Sequence, residues 1–316
     1  SNKLQKCIYF NNQENKLLKY NNLFVKKGRY LCLSPAKKIE LKANKYIKPL
    51  SHEDVDGIIG DGGTILGTSR CPEFLKKSYQ KKAEKVLQEL GIENVIIIGG
   101  NGSIRGAQDL AEYKTKKGQK LTVVAVPGSI DNDIGCTAIS IGTYTAVNTI
   151  TNACHQISST ASSHKRVFII DVMGRECGYL ALAAFVAAGA DYVLFKESGT
   201  GQKKELQNLI KKIKYDFSLS RQKKRFMIIK SENYEMDALD LKKDLDKAFK
   251  NMPTQIGVRV THLGHVVRGG TATSFDRLMA SRLGAASIFA IKQRKTKSMV
   301  GWIGYGDFET SNVDPG

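Results

Sequence analysis

A glycine-rich segment follows a run of β-branched residues. Residues 95–110 read VIIIGGNGSIRGAQDL, so an apolar run leads through glycines directly into a helical pattern. Glycines at the carboxyl end of a strand let the backbone approach a phosphate, and the first N–H groups of the following helix are free donors. The segment predicts either a phosphate-binding loop or an ordinary glycine-rich turn. Its candidate ligand-binding residues are Gly99, Gly100, Asn101, Gly102 and Ser103.

Two carboxylates follow the next apolar run. Residues 124–133 read VAVPGSIDND, which places Asp131 and Asp133 two positions apart just after a predicted strand. The carboxyl ends of neighbouring parallel strands meet at one edge of a sheet, where α/β proteins bind ligands. One carboxylate there can accept a proton and the other can hold Mg²⁺, as phosphoryl transfer requires. An Asx-type turn would explain the same residues without any chemistry.

Three later segments are rich in Arg and His. They are residues 162–166 (SSHKR), 171–175 (DVMGR) and 259–270 (RVTHLGHVVRGG). The planar guanidinium of Arg donates two parallel hydrogen bonds to a phosphate. Each segment alone is typical of a solvated surface, but their shared position beside predicted strand ends favours a phosphorylated ligand.

Eight ordered blocks together resemble the 6-phosphofructokinase family over about residues 50–300. The blocks are GGTILGTSRCPEF, IGGNGS, PGSIDND, SSHKR, VMGRECG, KSE, VRVTHLGHVVRGG and SFDRLMASRLGA. The resemblance implies a glycolytic enzyme that transfers a phosphoryl group from MgATP to O1 of fructose 6-phosphate. It further implies a cytoplasmic homo-oligomer, a dimer or a tetramer, whose active sites are shared between subunits.

The resemblance also implies a role for each matching residue. Asp131 would be the general base for the sugar 1-hydroxyl, Arg175 would stabilise the transferring charge, and Ser129 would contact the substrate or the phosphoryl group. Asp131 and Arg175 would also bind the sugar phosphate, with Met173, Gly174, Glu232, His265 and Arg268 from the same chain and Arg166 and Arg259 from a neighbouring subunit. Asp133 and Asn101 would hold Mg²⁺. The donor would meet Arg70, Gly99, Gly100, Asn101, Gly102, Ser103 and Gly128.

The donor side departs from the family pattern. Pyrophosphate-using relatives carry Asp and Lys at the positions of Gly102 and Gly128, so the two glycines favour ATP over pyrophosphate. Asn101 stands where the family usually has Asp, and a neutral amide binds Mg²⁺ more weakly than a carboxylate does. Residues 1–27 contain no glycine and lack the family's opening donor loop, so that segment is either a divergent replacement or the loop lies outside this chain.

These departures keep other functions open. A regulatory or sugar-phosphate-binding subunit with weakened catalysis would show the same sugar-side residues, and a pyrophosphate-dependent enzyme is a further alternative. A lipid or NAD kinase is disfavoured, because such families share the glycine turn but not the LGHVVRGG and SFDR blocks.

Alternating strand and helix patterns must position these residues. Buried strands are predicted at residues 95–98, 121–126, 167–172, 192–195 and 226–229. Helices are predicted at residues 72–90, 104–113, 143–157, 177–188, 203–213, 237–250 and 275–292. The alternation predicts an α/β chain of two doubly wound, three-layer domains. We expect residues 1–141 with 268–304 to bind the donor and residues 142–267 with 305–316 to bind the sugar phosphate.

The amino-acid composition of the chain limits the kinds of ligand and the cellular setting that we expect. Lys and Arg number 49 against 30 Asp and Glu among 316 residues, so the net charge of +19 favours anionic ligands. Few aromatic residues accompany the basic N-terminal segment, so small phosphorylated molecules are favoured over nucleic acid. The six cysteines form no CxxC pair, and residues 178–190, the most apolar stretch, fall short of the roughly 20 residues of a membrane span. No signal-peptide pattern opens the chain, and a cytoplasmic location is expected.

Overall fold

A computed structural model describes residues 6–9, 30–33, 47–68, 71–199, 201–218, 220–221, 223–252 and 256–303. The strands are β1 (Lys6–Tyr9), β2 (Tyr30–Leu33), β3 (Ile47–Leu50), β4 (Asn94–Gly99), β5 (Thr122–Pro127), β6 (Arg166–Val172), β7 (Tyr192–Leu194), β8 (Arg225–Ser231), β9 (Gly257–His262) and β10 (Ser298–Gly301). The α-helices are α1 (Lys77–Glu89), α2 (Asn101–Leu110), α3 (Thr143–Ser163), α4 (Tyr179–Ala188), α5 (Gln202–Asp216), α6 (Ala238–Phe249) and α7 (Ser274–Lys292).

The described strands form two parallel four-stranded sheets and one small two-stranded sheet. The first sheet has the order β1-β10-β5-β4 and the second has the order β7-β8-β6-β9. All neighbours in both sheets pair in parallel, and β2 and β3 pair antiparallel. Parallel pairing brings the carboxyl ends of each sheet to one edge, where the residues that follow the strands can meet.

Helices cover both faces of each sheet. Along β5, Val123 and Ala125 pack in an apolar cluster with α1 and α2, whereas Val124 and Val126 pack on the opposite face with α7. Along β6, the odd-numbered Val167 and Ile169 face α5 and α6, and the even-numbered side chains face α3 and α4. A central strand buried on both faces needs this continuous apolar sequence. The prediction of two doubly wound, three-layer α/β units is therefore confirmed as a fold class.

Most predicted elements are present, with differences at their ends. The helix predicted at residues 72–90 is wrong as one element: it divides into a 3₁₀ turn, Pro72–Leu75, and α1, because Lys76 between them is extended. The helix predicted at 143–157 continues to Ser163, and Ala161 in its last turns packs in the apolar cluster of the second sheet.

Strands β1, β2, β3, β9 and β10 were not predicted. β9 contains the charged residues Arg259 and His262, and it lies at the edge of the described second sheet, where an alternating pattern suffices. β10 has only four residues, too few for a periodic signal. Gly142, beside the predicted boundary between residues 141 and 142, precedes the first residue of α3 and has a φ of 98°, in the left-handed region that favours glycine.

The domain boundaries themselves stay a prediction, and their last segment, residues 305–316, lies outside the described residues. Among the described helices, none combines the length and apolar character needed to cross a membrane.

Candidate active site

The segment after β5 is a turn fixed by buried hydroxyls. Ser140 Oγ donates to Ser129 O at 2.5 Å, and Thr143 Oγ1 donates to the same carbonyl at 3.1 Å. Asn132 adopts the left-handed region with φ of 53°, and its Oδ1 accepts from Ser140 N at 2.9 Å. Asn tolerates this conformation better than most residues do. The turn holds Asp131 and the residues around it in one conformation.

Asp276 at the start of α7 ties that helix to the N-terminus of α3. Its buried carboxylate accepts from Gly142 N at 2.9 Å, Thr145 N at 2.7 Å and Thr145 Oγ1 at 2.5 Å. A carboxylate satisfies the free N–H groups of a helix N-terminus and is favoured by the helix dipole. One side chain thus joins a helix of the first sheet to a helix of the second. Sequence reasoning did not single out Asp276, although it lies in the quoted SFDR block.

Asp131 is buried within electrostatic reach of Asp133 and of three charged residues from the second sheet's loops, Glu232, Arg175 and Arg268. Its side chain is only 8% exposed, and Oδ1 has no hydrogen-bond partner within the described part of the chain. Burial raises the pKa of Asp131, and the nearby carboxylates Asp133 and Glu232 raise it further, while Arg268 and Arg175 lower it. A buried carboxylate with a free acceptor oxygen and a raised pKa is suited to take a proton from a bound hydroxyl.

Asp133 faces the loop that follows β4. Asn101 Nδ2 donates to Asp133 Oδ2 at 2.7 Å and to Asp133 O at 3.2 Å. Ser129 Oγ donates to the other carboxylate oxygen at 3.3 Å and accepts from Asp131 N at 3.3 Å. The predicted Mg²⁺ residues therefore lie in contact with each other and with the predicted catalytic hydroxyl.

The oxygen donors at this point suit a magnesium ion. In the described residues, no group of three His, Cys, Asp or Glu side chains is placed to hold a metal. Mg²⁺ in phosphoryl-transfer sites is bound by one or two carboxylates together with substrate phosphates and water. Asp133, with the Ser129 hydroxyl and the Asn101 amide beside it, fits that requirement.

The glycine-rich loop lies directly beside this acidic turn. Gly128 N donates to Gly99 O at 3.0 Å, and a Cβ added at Gly100 would lie 3.7 Å from Ser129 Cβ. A Cβ at Gly99 would approach Ser103 Oγ to 2.5 Å, so this position requires glycine, whereas a Cβ at Gly102 would meet nothing within 4 Å. Helix α2 begins immediately afterwards, and Gly100 before it provides no side-chain cap, so the first N–H groups of the helix are donors that suit an anion.

A second loop follows β6 and is held by Glu232. Glu232 Oε1 accepts from Gly174 N at 3.1 Å and from Arg175 N at 2.7 Å. Arg175 has a left-handed φ of 53°, and a Cβ at Gly174 would lie 2.5 Å from Cys177 O. This carboxylate therefore stabilises a strained turn that contains Met173, Gly174 and Arg175.

Two further predicted ligands lie on the 3₁₀ turn after β9, Gly264–Arg268. His265 and Arg268 are exposed, while Val267 between them is buried against α3 and α4 and anchors the turn. Arg268 and Arg175 both contribute to the electrostatic environment of Asp131. Two cations, one base and the Glu232 loop thus surround a single region.

Arg166 and Arg259 are not brought to this region within one chain. Arg166 is the first residue of β6, at the opposite end from Gly174, a separation of about 20 Å at ~3.3 Å per residue. Arg259 lies within β9 and its Nη1 donates to Val258 O at 3.0 Å. Arg70 lies outside the described residues.

Comparison with known proteins agrees with this geometry. The sequence model of the Phosphofructokinase family matches residues 27–291. The chain belongs to the phosphofructokinase family. The resemblance seen in the eight sequence blocks is therefore confirmed.

Relatives in this family include the ATP-dependent 6-phosphofructokinase of Natranaerobius thermophilus, which is 41% identical over 262 residues, 83% of this chain and 76% of the relative. Among solved structures, phosphofructokinase from Saccharomyces cerevisiae has a TM-score of 0.70 and 33% identity. That alignment covers 79% of this chain and 35% of the yeast chain. The T-state phosphofructokinase of Pichia pastoris has a TM-score of 0.71 and 34% identity over 79% of this chain and 29% of its own. This chain thus spans about a third of each yeast chain.

Proposed function

We propose that the chain phosphorylates fructose 6-phosphate at O1 with MgATP, giving fructose 1,6-bisphosphate and ADP in glycolysis. The observation that carries this proposal is the position of Asp131. Its free Oδ1 is buried between the glycine loop of α2 on one side and the Glu232-bound loop with Arg175 and Arg268 on the other. Family membership and relatives named ATP-dependent 6-phosphofructokinase support the same activity.

In this reaction Asp131 accepts the proton of the sugar 1-hydroxyl, and the oxygen of that hydroxyl attacks the terminal phosphorus of ATP. The bond between that phosphorus and the bridging oxygen breaks, and the leaving oxygen takes its charge onto ADP. The raised pKa of Asp131 makes it a stronger base than an exposed aspartate. Arg175 and the Ser129 hydroxyl would stabilise the charge on the transferring group.

Asp133, with Ser129 and Asn101 beside it, would hold Mg²⁺. The ion, when bound, neutralises charge on the donor phosphates. Binding it requires Asn101 to turn its amide oxygen toward the site, because Nδ2 now donates to Asp133. Met173, Gly174, Glu232, His265 and Arg268 would bind the sugar phosphate.

The donor is ATP rather than pyrophosphate on the evidence of two small residues. A Cβ at Gly102 meets nothing within 4 Å, and one at Gly128 meets Ile98 Cγ2 at 3.4 Å, an ordinary contact. Both positions therefore leave space beside the donor loop. We expect Gly128→Lys to reduce the rate with ATP because its long cationic chain fills that space, while the control Gly128→Ala keeps the rate; equal rates in both variants would contradict this role.

The sugar site would be completed by a second subunit. Arg166 and Arg259 lie far from Glu232 within one chain, so they serve a sugar phosphate only from a neighbouring copy. When the protein is diluted until its subunits dissociate, sugar affinity and activity should be lost together. Ultracentrifugation measures the dissociation, and binding and activity assays at the same concentrations measure the loss. An active monomer that binds the sugar phosphate would contradict a shared site.

A second candidate is a sugar-phosphate-binding subunit with weak phosphotransfer, since Asn101 supplies an amide where a second carboxylate would bind Mg²⁺ better. A coupled assay for fructose 1,6-bisphosphate, run with ATP and with pyrophosphate, decides between the candidates. Turnover with ATP that Asp131→Asn abolishes supports the kinase. Sugar-phosphate binding without turnover supports the second candidate, and preference for pyrophosphate refutes the donor assignment. A cytoplasmic location also stays a proposal.

A further inference from the structure

Three ionisable side chains form one row across the second sheet, just below the sugar-side loops. Asp171 on β6 pairs with Lys230 on β8 and with His262 on β9. Lys230 Nζ donates to Asp171 Oδ1 at 2.9 Å, and His262 Nδ1 lies 2.9 Å from Asp171 Oδ2. Both oxygens of one carboxylate are thus used to join three neighbouring strands.

The row lies near the carboxyl ends of β6, β8 and β9, just before the loops that carry the proposed sugar ligands. Asp171 precedes Met173 by two residues, Lys230 precedes Glu232 by two, and His262 precedes His265 by three. Main-chain bonds continue the pairing just above it, from Glu232 N to Val172 O at 2.8 Å and from Leu263 N to Asp171 O at 3.0 Å. The interactions that hold these three strand ends together therefore also position the loops that follow β6, β8 and β9.

The free energy of folding does not explain why a charged lysine is buried in this row. The Lys230 side chain is 2% exposed and its ammonium has only Asp171 and the Ser231 carbonyl, at 3.0 Å, as described partners. An apolar pair in such a place is often as stable as an ion pair or more stable, because two charges lose their water. The charged row instead offers directional bonds, which set strand register where an apolar contact would allow sliding.

A further carboxylate lies beside the row. Asp237, which caps α6, interacts electrostatically with both Lys230 and His262, and His262 itself is half-exposed. Glu232, two residues after Lys230 and just past the end of β8, already accepts hydrogen bonds from the Gly174 and Arg175 amides. A shift of β8 against β6 would move Glu232 away from these amides, so the register of the row controls the loop that contains Arg175.

We propose that Lys230, Asp171 and His262 are positioning residues that hold the ends of β8, β6 and β9 in the register needed to bind the sugar phosphate. The inference deepens the proposed function and rests on it for the identity of the ligand. None of the three needs to touch the sugar: they act through Glu232, Arg175 and the His265 turn.

The first test measures the loop without any ligand. In Lys230→Met, which keeps the length of the chain and removes its charge, hydrogen exchange at the Gly174 and Arg175 amides should become faster. The matched control is Lys223→Met at the opposite end of β8, where the lysine pairs with Asp191 and Asp216. If exchange at the two amides is faster in Lys230→Met but not in Lys223→Met, the positioning role of the row is supported. If exchange is unchanged in Lys230→Met, or rises equally in both variants, that role is overturned.

The second test measures the ligands. Lys230→Met should raise the KM for fructose 6-phosphate between about ten- and a hundredfold, as expected for misplaced binding groups, with the KM for ATP unchanged. His262→Leu should act in the same direction, and His262→Gln, whose amide can still donate to Asp171, should recover most of the affinity. The half-exposed His262 keeps the test available if Lys230→Met does not fold.

The two levels of failure are distinguishable. If the unmodified chain neither binds nor phosphorylates fructose 6-phosphate, the proposed function fails, while the exchange data still judge the row. If the unmodified chain is active but the Lys230 and His262 variants keep its sugar KM, or raise both KM values equally, the positioning role is overturned.

Discussion

The two sides of the site are built differently. On the sugar side, charged side chains bind one another or the main chain without any ligand: Glu232 holds two amides, and Lys230, Asp171 and His262 form a row of ion pairs and hydrogen bonds. On the donor side, the loop after β4 is mostly glycine, and its main side-chain contact is the exposed Asn101 amide on Asp133.

This difference indicates how each ligand is bound. Under the proposed function, a sugar phosphate would meet groups whose positions are already set, so little ordering would accompany its binding. A nucleotide would meet main-chain N–H groups and one carboxylate, and it would bring its own phosphates and cation to complete the site. The sugar side is therefore preorganised, and the donor side depends on its ligand.

Asp131 lies between the two sides and should give the largest effect. Asp131→Asn should lower kcat between about a hundredfold and ten-thousandfold, because a general base acts in the transition state. It should also stabilise the fold at pH 7, since the raised pKa means that the folded state disfavours the charged form. This gain should shrink as the pH falls through the raised pKa toward the ordinary value of 3.8, where the wild-type carboxyl becomes protonated.

Thermal unfolding and initial rates measure both effects. Asp276→Asn is a matched control, because Asp276 is also buried but its carboxylate accepts three hydrogen bonds. It should lower the unfolding midpoint instead. A destabilised Asp131→Asn, or one with near-normal turnover, would contradict the assignment of Asp131 as the buried base.

A smaller effect is expected at Glu232. Glu232→Gln keeps the shape but replaces two charge-assisted hydrogen bonds by neutral ones, a loss of about 1–1.5 kcal/mol, or roughly tenfold in affinity. The KM for fructose 6-phosphate should rise by that factor with the KM for ATP unchanged. Glu235→Gln, an exposed carboxylate on the same loop, serves as the control and should change neither value. Equal rises in both KM values would show that the two sides are not separate.

The smallest effect is expected at Asn101. Asn101→Asp removes the hydrogen bond to Asp133 and places two carboxylates side by side, so the variant should lose about 1 kcal/mol of stability without Mg²⁺. Added Mg²⁺ should reverse the loss, because a ligand that binds only the folded state stabilises it. Thermal unfolding with and without Mg²⁺ measures the change, with Asn101→Ala as the uncharged control. No difference between the two variants in their response to Mg²⁺ would remove Asn101 from the metal site.

The sequence predicted much of this architecture because parallel strands impose long apolar runs and place loop residues at one edge. The glycines after β4 and the acidic pair after β5 could be placed side by side from that rule alone. The roles of Arg175 or Glu232 came only from the family resemblance, since an isolated Arg or Glu has no periodic signal.

Other features could not be found in the sequence. Asp276 and Gly142 are more than 130 residues apart, and their contact exists only after both sheets have formed. The row of Lys230, Asp171 and His262 depends on strand register, and β9 was not predicted as a strand. Register and long-range caps are tertiary properties, and a local pattern does not encode them.

The most direct measurement of the contrast between the two sides is a pair of calorimetric titrations, with fructose 6-phosphate alone and with MgATP alone. Each is performed on the unmodified chain, on Glu232→Gln and on Asn101→Asp. We predict that Glu232→Gln weakens binding of the sugar phosphate only and that Asn101→Asp tightens binding of MgATP only. If Glu232→Gln weakens both ligands equally, or Asn101→Asp leaves MgATP binding unchanged, the contrast between the two sides is wrong.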